Sequence, residues 1–136
     1  MECLIVEDDF TARKLLQEYL YDLGNCDVAI NGREAVDSFK AALEAHRPYD
    51  LICLDIMMPE MNGMGALKAI RRVEKEYGIE GLNGVKVIVT TALSDSAQIK
   101  DAFKTGCEAY LVKPISKGSL LKEMEKLGLL PAKVSE

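Results

Sequence analysis

The 136-residue chain contains no tryptophan, a single histidine and only 6% aromatic residues. No apolar run approaches the roughly 20 residues that a membrane-spanning helix needs. The N-terminus reads directly into the strand-like "ECLIV" and has neither the basic start nor the cleavage site of a signal peptide. The net charge of −5 does not suit a nucleic-acid binder, because affinity for a phosphate backbone needs a basic surface. We therefore expect a cytoplasmic protein that binds neither nucleic acid nor membranes.

The four cysteines are too far apart in sequence to form a familiar motif. Cys3, Cys26, Cys53 and Cys107 include no C-x-x-C pair, and three of them lie in or beside apolar runs. This spacing favours buried, reduced thiols over a metal site or a disulfide framework.

The composition is that of an ordinary globular domain, with 49% hydrophobic and 29% charged residues. Its length favours one domain, and we find no repeat, linker or low-complexity segment. Five short apolar runs are predicted to be strands: Leu4–Val6, Asp27–Ile30, Leu51–Leu54, Val85–Thr90 and Ala109–Val112. The runs at Leu51–Leu54 and within Val85–Thr90 do not alternate with polar residues, as expected for strands covered on both faces.

Helix-period segments follow each of these runs. The first helix is predicted before Gly24, the second between Asn31 and Pro48, the third from Gly63 to Gly78, the fourth from Ser94–Ser96 to Gly106, and the fifth from Pro114 to Gly128. Residues 129–136 are predicted to be a C-terminal tail outside the 1–128 domain. Alternation of this kind predicts a doubly wound α/β fold, with helices on both faces of a parallel sheet.

Chemically useful side chains follow four of the five predicted strands. Ligands gather outside the carboxyl ends of strands in open parallel sheets, so these groups are predicted to meet. They are Glu7, Asp8 and Asp9 after the first strand, Asp55 after the third, Thr90 and Thr91 after the fourth, and Lys113 after the fifth. A helix cap at Asp55 would not explain this convergence.

Four carboxylates and one ammonium leave three net negative charges in one crevice. Mg²⁺ is the natural counterion, because it prefers carboxylate oxygens and bridges to phosphate. A carboxylate can also be the nucleophile that accepts a phosphoryl group.

Four motifs carry a family resemblance over about the first 128 residues: "LIVEDD", "DLICLDIMMPEMNG", "VIVTTA" and "YLVKPI". In this order and spacing the sequence resembles the receiver domain of two-component response regulators, in its stand-alone, chemotaxis-regulator-like form. The resemblance implies a five-stranded, flavodoxin-like parallel sheet in the order 2-1-3-4-5 with five helices. It also implies Mg²⁺ as the cofactor.

The resemblance assigns roles to the acidic residues. Asp55 matches the phosphoacceptor, Asp8 the direct metal ligand, and Glu7 an acidic neighbour that acts through water. The backbone carbonyl of Met57 would be a further metal ligand. Asp9 is either another metal ligand or a residue near the start of the first helix.

The other matched positions belong to the phosphoryl group and to the switch. Lys113 would pair with phosphoryl oxygens, and Pro114 would follow a cis peptide bond. Thr91 matches the switch hydroxyl and Tyr110 the aromatic switch residue. Met57 and Leu93 are apolar where many members are polar, and we expect them to slow loss of the phosphoryl group.

The resemblance implies a histidine kinase or a phosphotransfer protein as donor, and a protein that promotes its own phosphorylation and dephosphorylation. With no output domain evident in the sequence, the signal would leave by binding a downstream protein through the face of helix 4, strand 5 and helix 5. Two further hypotheses are a pseudo-receiver and an aspartyl-nucleophile phosphohydrolase. The phosphohydrolase would need a second aspartate at the position of Met57. A flavin-binding domain of similar topology is a fourth.

Overall fold

The computed structural model of the protein describes residues 1–58, 62–92 and 96–130. Five strands alternate with five helices in these ranges. The strands are β1 (Glu2–Val6), β2 (Asn25–Ala29), β3 (Leu51–Asp55), β4 (Lys86–Thr91) and β5 (Ala109–Val112). The helices are α1 (Phe10–Leu20), α2 (Gly32–Glu44), α3 (Gly63–Glu76), α4 (Ser96–Thr105) and α5 (Lys117–Lys126). Short 3-10 helices lie at Tyr21–Leu23 and Gly81–Asn83.

The strands form one parallel sheet in the order β2-β1-β3-β4-β5, which confirms the predicted topology. Successive side chains on each strand face opposite sides of the sheet. One side forms a core with α2, α3 and α4, to which Leu4, Ile52 and Val87 contribute. The other side forms a second core with α1 and α5, to which Ile5 and Ile88 contribute. Every residue of β3 is buried, as expected for a central strand.

The observed strand ends differ from the predicted ones mainly at the edge of the sheet. β2 begins at Asn25, because Asn25 pairs with Glu2 of β1 in the parallel register. It ends at Ala29, and the chain then turns into α2 through an N-terminal cap at Asn31. The Ile30 N–H donates to Glu34 Oε1, and the Glu34 N–H donates to Asn31 Oδ1. The predicted helix start at Ser94 lies outside the described residues.

Gly63 places the start of α3 directly against the strand that carries Asp55. A Cβ atom at position 63 would lie 2.3 Å from the carbonyl oxygen of Asp55, so a larger residue would push the two elements apart. Asn62 caps this helix by accepting a hydrogen bond of 2.9 Å from the Gly65 N–H. The loop after Asp55 therefore returns tightly to the sheet.

The predicted tail remains in contact with the domain at its first two positions. Leu129 and Leu130 are half-buried against the core beneath α1 and α5. Residues 131–136 of the predicted tail lie outside the described residues. Every helix in the described part of the chain is too short or too polar to cross a bilayer.

Candidate functional site

Asp55 lies at the carboxyl end of the central strand, with a side chain that is almost entirely buried. Its Oδ1 accepts a hydrogen bond of 3.0 Å from the Met57 N–H. Its Oδ2 accepts a hydrogen bond of 3.2 Å from Lys113 Nζ. Each carboxylate oxygen thus faces a donor, one fixed by the backbone and one at the end of a long side chain.

Glu7 follows β1 on the adjacent strand and is fully buried. Lys113 Nζ forms an ion pair with its Oε1 at 2.5 Å. The Asp9 N–H donates to its Oε2 at 3.2 Å. Burial raises the pKa of Glu7 to about 7, although the Lys113 ammonium opposes this shift. Glu7 is therefore expected to change its protonation state near neutral pH.

Lys113 joins the two carboxylates from the end of β5. Burial would lower the pKa of Lys113, but the hydrogen bonds and charges of Glu7 and Asp55 outweigh burial and raise it. The ammonium is therefore cationic at neutral pH. The peptide bond between Lys113 and Pro114 is cis, as the sequence predicted.

The acidic group that would hold a metal ion consists of Glu7, Asp8 and Asp55. One carboxylate oxygen from each lies within 4.8 Å of the others, so one cation can reach all three. When all three are ionised, their negative charges exceed the single positive charge of Lys113. Hard oxygen ligands with excess negative charge fit Mg²⁺. Met57, whose backbone carbonyl is the further metal ligand expected from the sequence, lies beside this group. Its N–H donates to Asp55.

Asp9 has a different position from Asp8. Its side chain caps α1, because Oδ2 accepts a hydrogen bond of 2.8 Å from the Ala12 N–H. Asp8 is exposed and belongs to the carboxylate group. Arg13 donates to the carbonyl oxygen of Glu7 at 3.1 Å and so ties α1 to the acidic loop. That bond was not predicted, since a six-residue separation carries no recognisable sequence signal.

The two candidate switch residues lie on β4 and β5. Thr91 ends β4 and is buried, and its carbonyl accepts a hydrogen bond of 2.7 Å from the Lys113 N–H. Tyr110 is half-buried and packs edge-to-face on Phe103, with ring centroids 5.9 Å apart. Thr90 lies beside Asp55 in the sheet register and is fully buried. Its Oγ1 has no hydrogen-bond partner among the described residues.

The apolar residues expected to flank the acceptor are only partly described. Met57 is 55% exposed beside Asp55. Leu93 lies outside the described residues.

Comparison with known proteins decides the family. The response regulator receiver domain family matches residues 3–125. The chain belongs to this family. It is also 32% identical to the chemotaxis protein CheY of Thermotoga maritima, over 91% of this receiver domain and 94% of CheY.

Two solved structures relate this receiver domain to metal and partner complexes. The CheX–CheY–BeF₃–Mg²⁺ complex from Borrelia burgdorferi matches with a TM-score of 0.79 and 29% identity, covering 94% of this chain and 89% of the other. The complex of the Saccharomyces cerevisiae phosphotransfer protein Ypd1 with the receiver domain of Ssk1 matches with a TM-score of 0.82 and 29% identity, covering 94% and 88%. The Mg²⁺ expected from the sequence is thus supported by a neighbour and by the acidic group here.

Proposed function

We propose that this receiver domain accepts a phosphoryl group on Asp55 from a histidine kinase or a phosphotransfer protein. The observation that carries the proposal is the position of the Asp55 carboxylate, which is buried at the end of β3 beside Lys113 and within reach of the Glu7 and Asp8 carboxylates. The Ypd1–Ssk1 structure supports a phosphotransfer protein as one class of donor.

The transfer forms a bond between an Asp55 oxygen and phosphorus and breaks the phosphorus–nitrogen bond of the donor histidine. The imidazole nitrogen keeps the electron pair. Backbone donation from Met57 orients Oδ1, and Lys113 offers positive charge at Oδ2. This is covalent catalysis by a positioned carboxylate.

Asp8 and Asp55 would hold Mg²⁺ directly, with the Met57 carbonyl as a further ligand and Glu7 acting through water. Asp9 would support this loop as the cap of α1. When bound, the ion neutralises the carboxylates and the oxygens of the transferring group.

Lys113 would change partners on phosphorylation. It divides its ammonium between Glu7 and Asp55 in the unphosphorylated protein. A phospho-residue carries a charge of about −1.5 to −2 at neutral pH. That added charge would draw Lys113 from Glu7 towards the phosphoryl oxygens.

The signal would leave through the face built from α4, β5 and α5. Thr91 would move its hydroxyl towards the phosphoryl group, and Tyr110 would turn into the space released. Tyr110 already packs against Phe103 of α4, so its rotation would alter that face. Such a change shifts the balance between two packings and thereby the affinity for a downstream protein.

Incubation with acetyl phosphate followed by intact-mass measurement tests the proposal. One phosphoryl adduct should appear with Mg²⁺, disappear in EDTA, and be absent from Asp55→Asn. The control Asp37→Asn changes an exposed acid on α2 and should be phosphorylated normally. An adduct on Asp55→Asn equal to that on the wild type would contradict the proposal.

A further inference from the structure

Cys3 and Cys26, which are 23 positions apart in the sequence, face each other in the sheet. β1 and β2 are parallel neighbours, and their register pairs Cys3 directly with Cys26. Register partners point to the same side of a sheet. Both side chains accordingly belong to the core beneath α1 and α5, Cys3 within it and Cys26 against its rim.

The spacing of the two strands suits a covalent link. Neighbouring strands lie about 4.8 Å apart, and disulfides span Cα separations of roughly 4.4–6.8 Å. The other two cysteines are placed differently. Cys53 pairs with Ile5, two positions further along β1, and Cys107 lies in the opposite core.

Access to solvent is unequal within the pair. Cys26 is half-buried on the edge strand β2. Cys3 is only 1% exposed. A small oxidant can therefore reach Cys26, whereas Cys3 needs to reach only the Cys26 sulfur.

The protonation of the pair favours the same division of roles. Hydrogen bonding with the Cys3 thiol lowers the pKa of Cys26, although burial opposes this shift. The same interaction, together with burial, raises the pKa of Cys3. The more accessible sulfur thus has the greater thiolate character, and the thiolate is the nucleophile in thiol oxidation.

We propose that Cys3 and Cys26 are a thiol pair that peroxides oxidise to a reversible disulfide between β1 and β2. The Cys26 thiolate attacks one oxygen of the peroxide, the oxygen–oxygen bond breaks, and Cys26 becomes a sulfenic acid. The other oxygen leaves as hydroxide and takes up the proton released from Cys26 to give water. The Cys3 sulfur then attacks the Cys26 sulfur, the sulfur–oxygen bond breaks, and the Cys3 proton leaves with the hydroxide as water. Overall, two thiols and hydrogen peroxide give one disulfide and two waters. A dithiol reductant returns the pair to thiols by exchange.

The test uses the full chain, a stepped excess of hydrogen peroxide, a catalase quench, and alkylation by N-ethylmaleimide under denaturing conditions. Reduced protein carries four cysteines and should take four adducts. Oxidised protein should take two adducts, lose two hydrogens in mass, and yield a linked peptide joining residues 3 and 26. Dithiothreitol should restore all four adducts.

Two matched variants, Cys26→Ser and Cys107→Ser, each remove one cysteine and have opposite expected results. Cys26→Ser should keep all three remaining thiols, whereas Cys107→Ser should still lose two. Four adducts after oxidation of the wild type would overturn the proposal. So would sulfinic acid at Cys26 without a link, or a disulfide joining two chains. The linked-peptide map needs no variant, so a poorly folded Cys26→Ser would not obscure the result.

Discussion

Lys113 lies closer to Glu7 than to Asp55, with Nζ 2.5 Å from Glu7 Oε1 and 3.2 Å from Asp55 Oδ2. In this geometry one ammonium forms ion pairs with both a fully buried acid and the candidate acceptor. Lys113 is therefore expected to stabilise the unphosphorylated fold as well as the phosphorylated site.

Replacing Lys113 by methionine should destabilise the protein more at pH 8 than at pH 5. The pKa of Glu7 is about 7 in the folded protein, above its ordinary value of 4.5. Its contribution to stability is therefore present below that ordinary value and is lost as pH rises through 7. Without Lys113 the folded pKa rises further, so more stability is lost between pH 5 and pH 8.

The expected loss for Lys113→Met at pH 8 is about 1–3 kcal/mol in the free energy of unfolding. Denaturant titrations in EDTA measure it, with Lys68→Met as a control on the exposed side of α3. An equal loss at both pH values would show that Glu7 does not depend on Lys113.

Replacing Arg71 by methionine should destabilise the fold strongly without preventing phosphorylation. Its guanidinium contacts Glu74 at 2.7 Å, Glu108 at 3.0 Å, and the carbonyls of Val85 and Gly106. Removing it leaves two partly or fully buried carboxylates without their cation, at a cost of about 3–5 kcal/mol. Thermal and denaturant unfolding check this.

Arg72→Met is the matched control for Arg71, since Arg72 is the exposed neighbour on the same helix. Its free energy of unfolding should change little. Similar losses for both variants would assign the effect to the helix in general and not to the network around Arg71.

Substitution of Asp8 should affect metal binding, whereas substitution of Asp9 should affect the stability of α1. Asp8→Ala should weaken Mg²⁺ binding at least tenfold, because it removes a charged ligand from the acidic group. Asp9→Ala should keep most of the Mg²⁺ affinity but lose about 1 kcal/mol of stability with the cap of α1. Metal titration and denaturant unfolding of both variants measure this. A larger loss of Mg²⁺ affinity for Asp9→Ala than for Asp8→Ala would reverse their roles.

Met57→Asn should shorten the lifetime of the phosphorylated protein. The exposed thioether beside Asp55 offers water only a weak hydrogen-bond acceptor, whereas an amide offers a strong donor and a strong acceptor that would orient water. Lowering the hydrolysis barrier by about 1 kcal/mol would raise the rate roughly fivefold. Timed loss of the adduct by intact mass gives the lifetime. Met57→Leu keeps an apolar side chain and should leave it unchanged; equal lifetimes for the leucine and asparagine variants would contradict the explanation.

The location of the site was predictable because it depends on topology. Strand–helix alternation orders the sheet, and the carboxyl ends of parallel strands meet at one edge. Asp55 and Lys113 are therefore neighbours in space despite 58 positions of separation. Local signals also predicted the helix starts near Asn31 and Gly63.

The burial of Glu7 and the contacts of Arg71 were not predictable in this way. Glu7 looks like any acid in an exposed loop until Lys113 and the adjacent strands cover it. Arg71 reaches partners 35 and 37 positions away through side-chain geometry, and no periodic pattern records such contacts. The pairing of Cys3 with Cys26 likewise depends on strand register, and both cysteines lie outside the predicted strands Leu4–Val6 and Asp27–Ile30.

Locating the phosphoryl group on the chain tests the central claim most directly. The protein phosphorylated by acetyl phosphate in Mg²⁺ is reduced with borohydride, which converts an aspartyl phosphate to homoserine, and its peptides are sequenced by mass spectrometry. Homoserine at position 55, absent without acetyl phosphate, is the predicted result. Conversion at Asp8, Asp9 or Glu7 with Asp55 unchanged would contradict the account.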